Sequence, residues 1–308
     1  MYKINIIITF AAAALLSACA TYNPKYKNSD KTLPLSISSG EIDKTFYLIG
    51  NAGNSGDKAS NAVKSLQNYL ADNNSKDSYV LFLGNSFYPS GMPKKDEEAL
   101  KQAEKTMQQQ IDALKDFKGK VVVLPGNRDW KGGVDGLELE EDFLKSKFND
   151  ADVLQPNNGC PLESIDVNDD VHLIALDTQW FLEDWDDNPK MNDKCEIKTR
   201  AKLFLEIEGE LKKNATKTIV FAMYHPLLTY GEHGGKYPLI HKDFFSTFIK
   251  PVKTLGAVSK QDRYNEALKD LMGRLKVLTK DIDRLVFVSG QDESMQYIED
   301  GSVKQIVA

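Results

Sequence analysis

The chain contains 308 residues, of which 41% are hydrophobic and 27% are charged, and its formal net charge is -6 at neutral pH. This length and composition suit one globular domain, or at most two, and exclude a chain that is disordered throughout. Acidic and basic residues are interspersed without a basic stripe, so the composition argues against a nucleic-acid partner.

The first 19 residues have the pattern of an export signal. Lys3 supplies a positive charge, residues 4–16 form an apolar run that is short for a membrane span, and Leu16-Ser17-Ala18-Cys19 resembles a bacterial lipobox. In this interpretation Cys19 is lipidated, and the mature protein is a lipoprotein anchored in the periplasm or at the outer membrane. An ordinary secretory signal and a short membrane anchor are the alternatives, and both also export the chain.

Residues 20–42 are polar and lack a hydrophobic period, so they are predicted to form a tether to a single folded domain, residues 43–308. Within that domain short apolar runs alternate with amphipathic stretches. The strand candidates, rich in Val, Ile, Leu and Phe, are Thr45–Ile49, Tyr79–Leu83, Lys120–Leu124, His172–Leu176, Thr218–Met223 and Arg284–Val288.

Helical periods lie between these strands. Two apolar stripes recur at spacings of three and four residues: Ala59, Val63, Leu66 and Leu70 in the first, and Leu100, Ala103, Met107, Ile111 and Leu114 in the second. Three further helices are predicted over Leu139–Phe148, Thr199–Leu211 and Tyr264–Leu278. This alternation predicts an α/β layered domain. Residues 303–308 resemble an interrupted strand, so we expect a domain truncated at its C-terminus that lacks the closing edge of one sheet.

Export changes the interpretation of the cysteines. Cys160 and Cys195 match no zinc-binding pattern, and in an oxidising compartment they are predicted to form a disulfide, with two free thiols as the alternative. A disulfide that closes this loop would stabilise the fold by roughly 3 to 4 kcal/mol through the entropy of the unfolded chain.

Polar residues follow five of the strand candidates directly. In sheets of this class functional loops lie beyond the carboxyl ends of the strands. The sequence therefore predicts that one shared site is formed by Asn51, Asn85, Asn127, Tyr224 and Gln291.

The segments around these positions carry a family resemblance. They are Ile49-Gly50-Asn51-Ala52-Gly53, Leu83-Gly84-Asn85-Ser86-Phe87-Tyr88, Pro125-Gly126-Asn127-Arg128-Asp129, Met223-Tyr224-His225-Pro226 and Gly290-Gln291-Asp292-Glu293. Their order and spacing are similar to the GDxG, GDxxY, GNHD, VxxH and GHxH motifs of the calcineurin-like metallophosphoesterases, in particular the purple acid phosphatase-like branch. The resemblance implies a layered α/β/β/α sandwich with two metal ions, which activate water and stabilise the attacking and leaving oxygens on phosphorus.

The metal ligands implied by the resemblance are mostly replaced. Two dications about 4 Å apart, as in two-metal sites, repel by roughly 17 kcal/mol at an effective dielectric constant of about 20. Anionic ligands must offset that repulsion. Only two of the implied ligand residues, Tyr88 and Asn127, are retained. The substituted positions are Asn51 and Asn85 for aspartates and Tyr224, Gln291 and Glu293 for histidines.

The catalytic histidine implied by the resemblance is Arg128. A guanidinium stays protonated, so it cannot give a proton to a leaving alkoxide and take it back. We hypothesise that Arg128 forms a salt bridge with Glu293 that takes the place of the metal as a tie between loops.

The histidines are few. If the motif register is shifted by one residue, His225 replaces Tyr224 as a ligand. His233 matches a substrate-contacting histidine of the family, whereas His172 and His241 are interpreted as structural.

Together these features predict an exported lipoprotein whose phosphoesterase-like domain is impaired or inactive, with no highly occupied metal and a residual pocket for phosphate or a phosphoester at Arg128, His233, Asn85 and Asn127. One alternative is an active metal-dependent phosphomonoesterase or phosphodiesterase that uses Fe, Mn or Zn at Glu293, Tyr224 and Asn127. A decaying gene product is the second alternative. The sequence identifies no protein partner.

Overall fold

A computed structural model describes residues 42–53, 58–148, 150, 152–231, 233, 259–263 and 265–308. The predicted export signal, the lipidation residue Cys19, the tether up to residue 41 and His241 lie outside these ranges. Residues Asp43–Ala308 form one compact unit.

The first sheet contains three parallel strands in the order β1-β2-β3, which are Thr45–Ile49, Ser78–Leu83 and Lys120–Leu124. These strands agree with the predicted apolar runs to within one residue. Two helices follow the first two strands, α1 at Asn61–Asp72 and α2 at Glu97–Ala113.

Side-chain caps begin both helices. The Ser60 side chain accepts a hydrogen bond from the Val63 backbone N–H, and the Asp96 side chain accepts one from Ala99. Such caps satisfy backbone donors that the first turn leaves without a partner. The predicted stripe of α1 is buried at Val63, Leu66 and Leu70.

The second sheet contains six strands and mixes parallel with antiparallel pairs. Its order is β4-β5-β6-β7-β9-β8, with strands at Leu162–Asp166, Val171–Leu176, Thr218–Met223, Leu285–Ser289, Gln296–Asp300 and Val303–Val307 numbered β4 to β9 along the chain. The last strand, β9, lies between β7 and β8. Residues 303–307 therefore form an interior strand of this sheet, and β8 lies at its edge.

The remaining helices are α3 at Gly133–Phe148, α4 at Thr178–Leu182, α5 at Arg200–Lys213 and α6 at Glu266–Thr279. A 3-10 turn at Asp129–Gly132 leads into α3. The structure thus has the predicted α/β class, with one parallel and one mixed sheet. Among the described residues, no helix combines the length and apolar character required to cross a membrane.

Apolar side chains of both sheets share one buried cluster, which includes Leu81, Leu83 and Leu124 from the first sheet and Leu173, Ala175 and Ala222 from the second. A second cluster joins the first sheet to α1, α2 and α3. A third joins the second sheet to α4, α5 and α6. Each sheet is therefore covered by apolar residues on both faces, as expected for strands without a polar period.

Two structural predictions concern this framework. Cys160 and Cys195 form a disulfide with their Cα atoms 5.5 Å apart, as predicted. His172 is buried in β5, where its ring nitrogens lie 3.0 Å from Asp166 Oδ1 and 2.9 Å from Ser164 Oγ. These bonds agree with its interpretation as a structural histidine.

Candidate functional site

The candidate site lies where strands of both sheets end. Asn51 and Asn85 follow β1 and β2, and Asn127 follows β3. Tyr224 comes directly after β6 and Gln291 shortly after β7. Hydrogen bonds join residues from the two groups of strands, so the polar positions predicted from the sequence do converge.

The Asn85 side-chain amide is the centre of this site. Its Nδ2 lies 3.0 Å from Asn51 Oδ1, 3.2 Å from Asn127 Oδ1 and 2.8 Å from the Tyr224 hydroxyl. An amide nitrogen carries two hydrogens, so it can satisfy these three oxygens only by sharing. The Tyr224 hydroxyl in turn donates to Asn127 Oδ1 at 2.7 Å. We call Asn51, Asn85, Asn127 and Tyr224 the amide cluster.

The other arm of Asn85 is also engaged. Its Oδ1 accepts a hydrogen bond from the Arg128 backbone N–H at 3.0 Å. A Cβ atom on Gly126 would lie 2.5 Å from this oxygen, so only glycine permits the close approach. Both arms of the Asn85 amide are therefore engaged within the protein.

Left-handed backbone conformations occur at this edge. Asn51, Asn85 and Gln291 have φ values of 46°, 60° and 69°. Asparagine tolerates this region better than most residues, and such conformations persist where the surroundings enforce them. The Asn51 Nδ2 donates to the Gln291 carbonyl at 2.9 Å, and the Gln291 Nε2 donates to the Gln261 carbonyl at 2.9 Å.

Asp129 connects two loops of the site through backbone hydrogen bonds. It is buried, and its carboxylate accepts backbone hydrogen bonds from Asn85 at 2.8 Å, Phe87 at 3.2 Å and Gly126 at 2.6 Å. Burial raises the pKa of Asp129 to about 6, against the opposing effect of these three donors.

Tyr224 and His225 differ in their partners. Burial raises the pKa of the Tyr224 phenol, which keeps it neutral. Burial also lowers the pKa of His225 to about 4. The His225 Nδ1 lies 2.7 Å from Thr178 Oγ1, and its Nε2 lies 2.6 Å from Gln261 Oε1. Since both ring nitrogens are engaged elsewhere and the Tyr224 hydroxyl is in the cluster, the geometry favours the unshifted motif register.

The hypothesised salt bridge between Arg128 and Glu293 is wrong. The Arg128 guanidinium lies over the Tyr88 ring, 4.6 Å from its centroid, and Nη1 donates to the Pro89 carbonyl at 3.3 Å. Glu293 is exposed. The guanidinium contacts the adjacent loop, while hydration stabilises the exposed carboxylate.

Two cavities flank the amide cluster. The first, of about 220 Å³, is lined by Gly50, Asn51, Asp292, Glu293, Ser294, Met295 and Ala308. The second, of about 390 Å³, is lined by Asn127, Trp130, Lys131, Gly133, Glu183, Asp187 and Asn188. Each cavity is lined by more carboxylates than cations, so neither lining favours an anion.

His233 lies near the first cavity. Its backbone N–H donates to the buried Asp292 Oδ1 at 3.2 Å. The Thr229 hydroxyl also donates to Asp292. Asp292 is thus a structural acceptor between two segments.

The residues at the implied metal positions do not fit a pair of divalent ions. Within the described ranges no three His, Cys, Asp or Glu side chains are grouped so that they could hold a metal. The oxygens of Asn51, Asn127 and Tyr224 surround an N–H donor, and a donor repels a cation.

Sequence reasoning missed Gln261, Thr178 and the role of Asp129. Gln261 bonds His225 and Gln291 and also donates to Gln179 Oε1 at 2.8 Å. Nothing local in the sequence marks Gln261, whereas Thr178 lies in the segment Asp177-Thr178-Gln179-Trp180, which is similar to the family's pattern. Asp129 lies in the segment Pro125-Gly126-Asn127-Arg128-Asp129, but no local signal indicates that its carboxylate accepts backbone hydrogen bonds.

No family model matches the chain, and neither does any curated protein. Solved structures that resemble it include GAP50, the anchor in the inner membrane complex of Plasmodium, with 16% identity, a TM-score of 0.44 and coverage of 85% of this chain and 70% of that chain. Another is the phosphopantetheinyl hydrolase PptH from Mycobacterium tuberculosis, with 10% identity, a TM-score of 0.39 and coverage of 86% and 89%.

Proposed function

We propose that this chain is an exported, lipid-anchored member of the calcineurin-like metallophosphoesterase family that no longer hydrolyses phosphoesters. The motif order supports the family. The proposed architecture is a layered α/β/β/α sandwich, supported by the apolar cluster that both sheets share and by the helices packed on their other faces.

The main support for the proposed loss of activity is the position of the Asn85 Nδ2. It lies among the oxygens of Asn51, Asn127 and Tyr224, where the family resemblance implies a bridging carboxylate and cations. The amide hydrogens replace electrostatic attraction to a metal with neutral hydrogen bonds. The loops therefore stay together without an ion, and the chemistry that a metal supplies is absent.

The active alternative has weaker support. It requires Glu293, Tyr224 and Asn127 to bind Fe, Mn or Zn. The Tyr224 hydroxyl already donates to Asn127, and the raised pKa of this phenol opposes formation of a phenolate ligand. A single exposed carboxylate adds little affinity for a cation.

Metal content and turnover test the proposal. The purified chain is dialysed against Mn, Zn or Fe, analysed for bound metal and assayed with p-nitrophenyl phosphate. We expect substoichiometric metal and no metal-dependent turnover. A control variant restores the family residues with Asn51→Asp, Asn85→Asp, Arg128→His, Tyr224→His, Gln291→His and Glu293→His, and we expect it to gain metal affinity. Metal-dependent turnover by the unmodified chain contradicts the proposal.

A residual anion-binding role rests on Arg128. Within the described part of the chain, its guanidinium contacts a tyrosine ring and a carbonyl but no carboxylate. Asn85 contributes no free donor, and the flanking cavities are acidic, so we expect weak phosphate binding. Calorimetric titration with inorganic phosphate compares the unmodified chain with Arg128→Gln and, as a charge-matched control, Lys131→Gln. Equal affinity in all three chains excludes an anion site at Arg128.

A decayed gene product is the second alternative. The helix caps and the continuous apolar clusters favour a chain that still folds. A cooperative thermal transition is expected for an intact fold and would be absent from a decayed one.

A further inference from the structure

Glu140 is a buried carboxyl group that the proposed function does not use. It lies on α3 with 0% of its surface exposed. Neither carboxyl oxygen has a hydrogen-bond partner of normal geometry among the described residues. The Met92 backbone N–H favours the charged form of Glu140, and no basic side chain in the described part of the chain does so.

Two other buried acids affect the charge state of Glu140. Asp129 and Asp177 are each only 1% exposed. Asp129 accepts backbone hydrogen bonds from the site loops, while Asp177 accepts bonds from Gln179, Trp180 and the Trp130 indole. We call Asp129, Glu140 and Asp177 the acidic floor. Burial raises the pKa of Glu140 well above its ordinary value, and the charges of Asp129 and Asp177 raise it further.

A site loop packs directly on Glu140. A Cβ atom on Gly91 would lie 2.9 Å from Glu140 Oε1, so this oxygen contacts the backbone at residue 91. The Gly91 N–H donates to the Phe87 carbonyl at 2.8 Å. Residues 88–92, the Tyr88 loop, also hold Arg128 through the Tyr88 ring and the Pro89 carbonyl. The Tyr88 loop therefore contacts both Glu140 and Arg128.

We propose that Glu140 is a proton-dependent latch for the Tyr88 loop. With its proton, Glu140 is neutral and the loop packs against α3. Without it, an unpaired charge lies in the interior, and burying such a charge is strongly unfavourable. Outward movement of the loop admits water to the carboxylate and releases Arg128 from its position over Tyr88. This inference does not depend on the catalytic state of the amide cluster.

The sign of the pH dependence follows from proton binding. The folded state keeps the Glu140 proton at pH values where the unfolded chain has lost it. Stability is therefore greatest below the ordinary pKa of glutamate and falls as pH rises toward the raised pKa of the folded state.

Hydrogen exchange of residues 87–93 tests the latch. The full chain, Glu140→Gln and Asp142→Asn are compared between about pH 5 and pH 9, after correction for the chemical exchange rate. Asp142 is exposed on the same helix and matches the change in charge. We expect loop protection to fall several-fold with rising pH in the full chain and in Asp142→Asn, and to stay constant in Glu140→Gln.

Thermal unfolding supplies a second readout. The Tm of the unmodified chain should fall by about 3 °C more per pH unit than that of Glu140→Gln within the window of the shifted pKa. Parallel Tm profiles, or a Glu140→Gln loss that is equal at every pH, assign Glu140 a purely structural role and overturn the latch. If Glu140→Gln does not fold, pH-independent loop protection in the unmodified chain overturns it.

Discussion

The amide cluster and the acidic floor lie next to each other but differ in how their buried polar groups are partnered. In the amide cluster each side chain is neutral and offers both donors and acceptors, so Asn85 can bond Asn51, Asn127 and Tyr224. In the acidic floor each ionised carboxylate only accepts. Asp129 has three backbone donors, whereas Glu140 has no partner of normal geometry.

This difference shows which polar groups can be buried here without a metal ion. Neutral amides can be buried together at low energetic cost because they satisfy one another. A carboxyl group in the same interior must find donors or keep its proton. The amide cluster is therefore predicted to be insensitive to pH, and the acidic floor to be sensitive to it.

The largest expected effect comes from giving the amide cluster a charge. Asn85→Asp removes the two N–H donors and places a carboxylate against three oxygens, so it should destabilise the fold by about 3 to 5 kcal/mol in the absence of metal. Urea unfolding measures this change, with Asn68→Asp on the exposed face of α1 as the control. A loss below about 1 kcal/mol would show that the cluster is not tightly packed around Asn85.

Asp129 joins the two regions, and its substitution should have an intermediate effect. In Asp129→Asn the amide nitrogen faces backbone donors of Asn85, Phe87 or Gly126, so at least one bond is lost. We expect a destabilisation of about 2 to 3 kcal/mol by urea unfolding. Asp142→Asn is the control, and an equal response of both variants would contradict the role of Asp129 as the tie between loops.

The smallest expected effect per pH unit is a change in the free energy of unfolding that depends on Asp177. Burial raises the pKa of Asp177 to about 8. The folded state keeps this proton after the unfolded chain has lost it, so stability should fall by about 1.4 kcal/mol per pH unit between roughly pH 4 and pH 8. Asp177→Asn should flatten that slope. Urea unfolding at several pH values measures it, and an unchanged slope would assign the pH dependence to other groups.

The strands and most helices could be predicted because their signals are local. The apolar runs at Thr45–Ile49, Lys120–Leu124 and Thr218–Met223 match the observed strands residue for residue. The edge strands β4 and β8 and the short helix α4 were not predicted. The strand β4 alternates only weakly, and α4 is buried at every position, so neither shows a clear amphipathic period.

The sequence could predict which loops form the candidate site, but not the contacts between their side chains. Asn51, Asn85, Asn127, Tyr224 and Gln291 could be grouped because parallel strands end at a common edge. Their mutual bonds could not be predicted, and the proposed pairing of Arg128 with Glu293 was wrong because the nearer Tyr88 and Pro89 contacts were not visible in the sequence.

The sequence alone determined the order of the predicted strands and helices, the neutral character of Asn51, Asn85 and Asn127, and the permanent charge of Arg128, because these depend on local pattern and side-chain chemistry. Only the tertiary structure decided that the Asn85 amide lies among three oxygens and that Glu140 is buried without a hydrogen-bond partner of normal geometry among the described residues. Those properties depend on distances between residues far apart in the chain, which packing of the two sheets and α3 establishes.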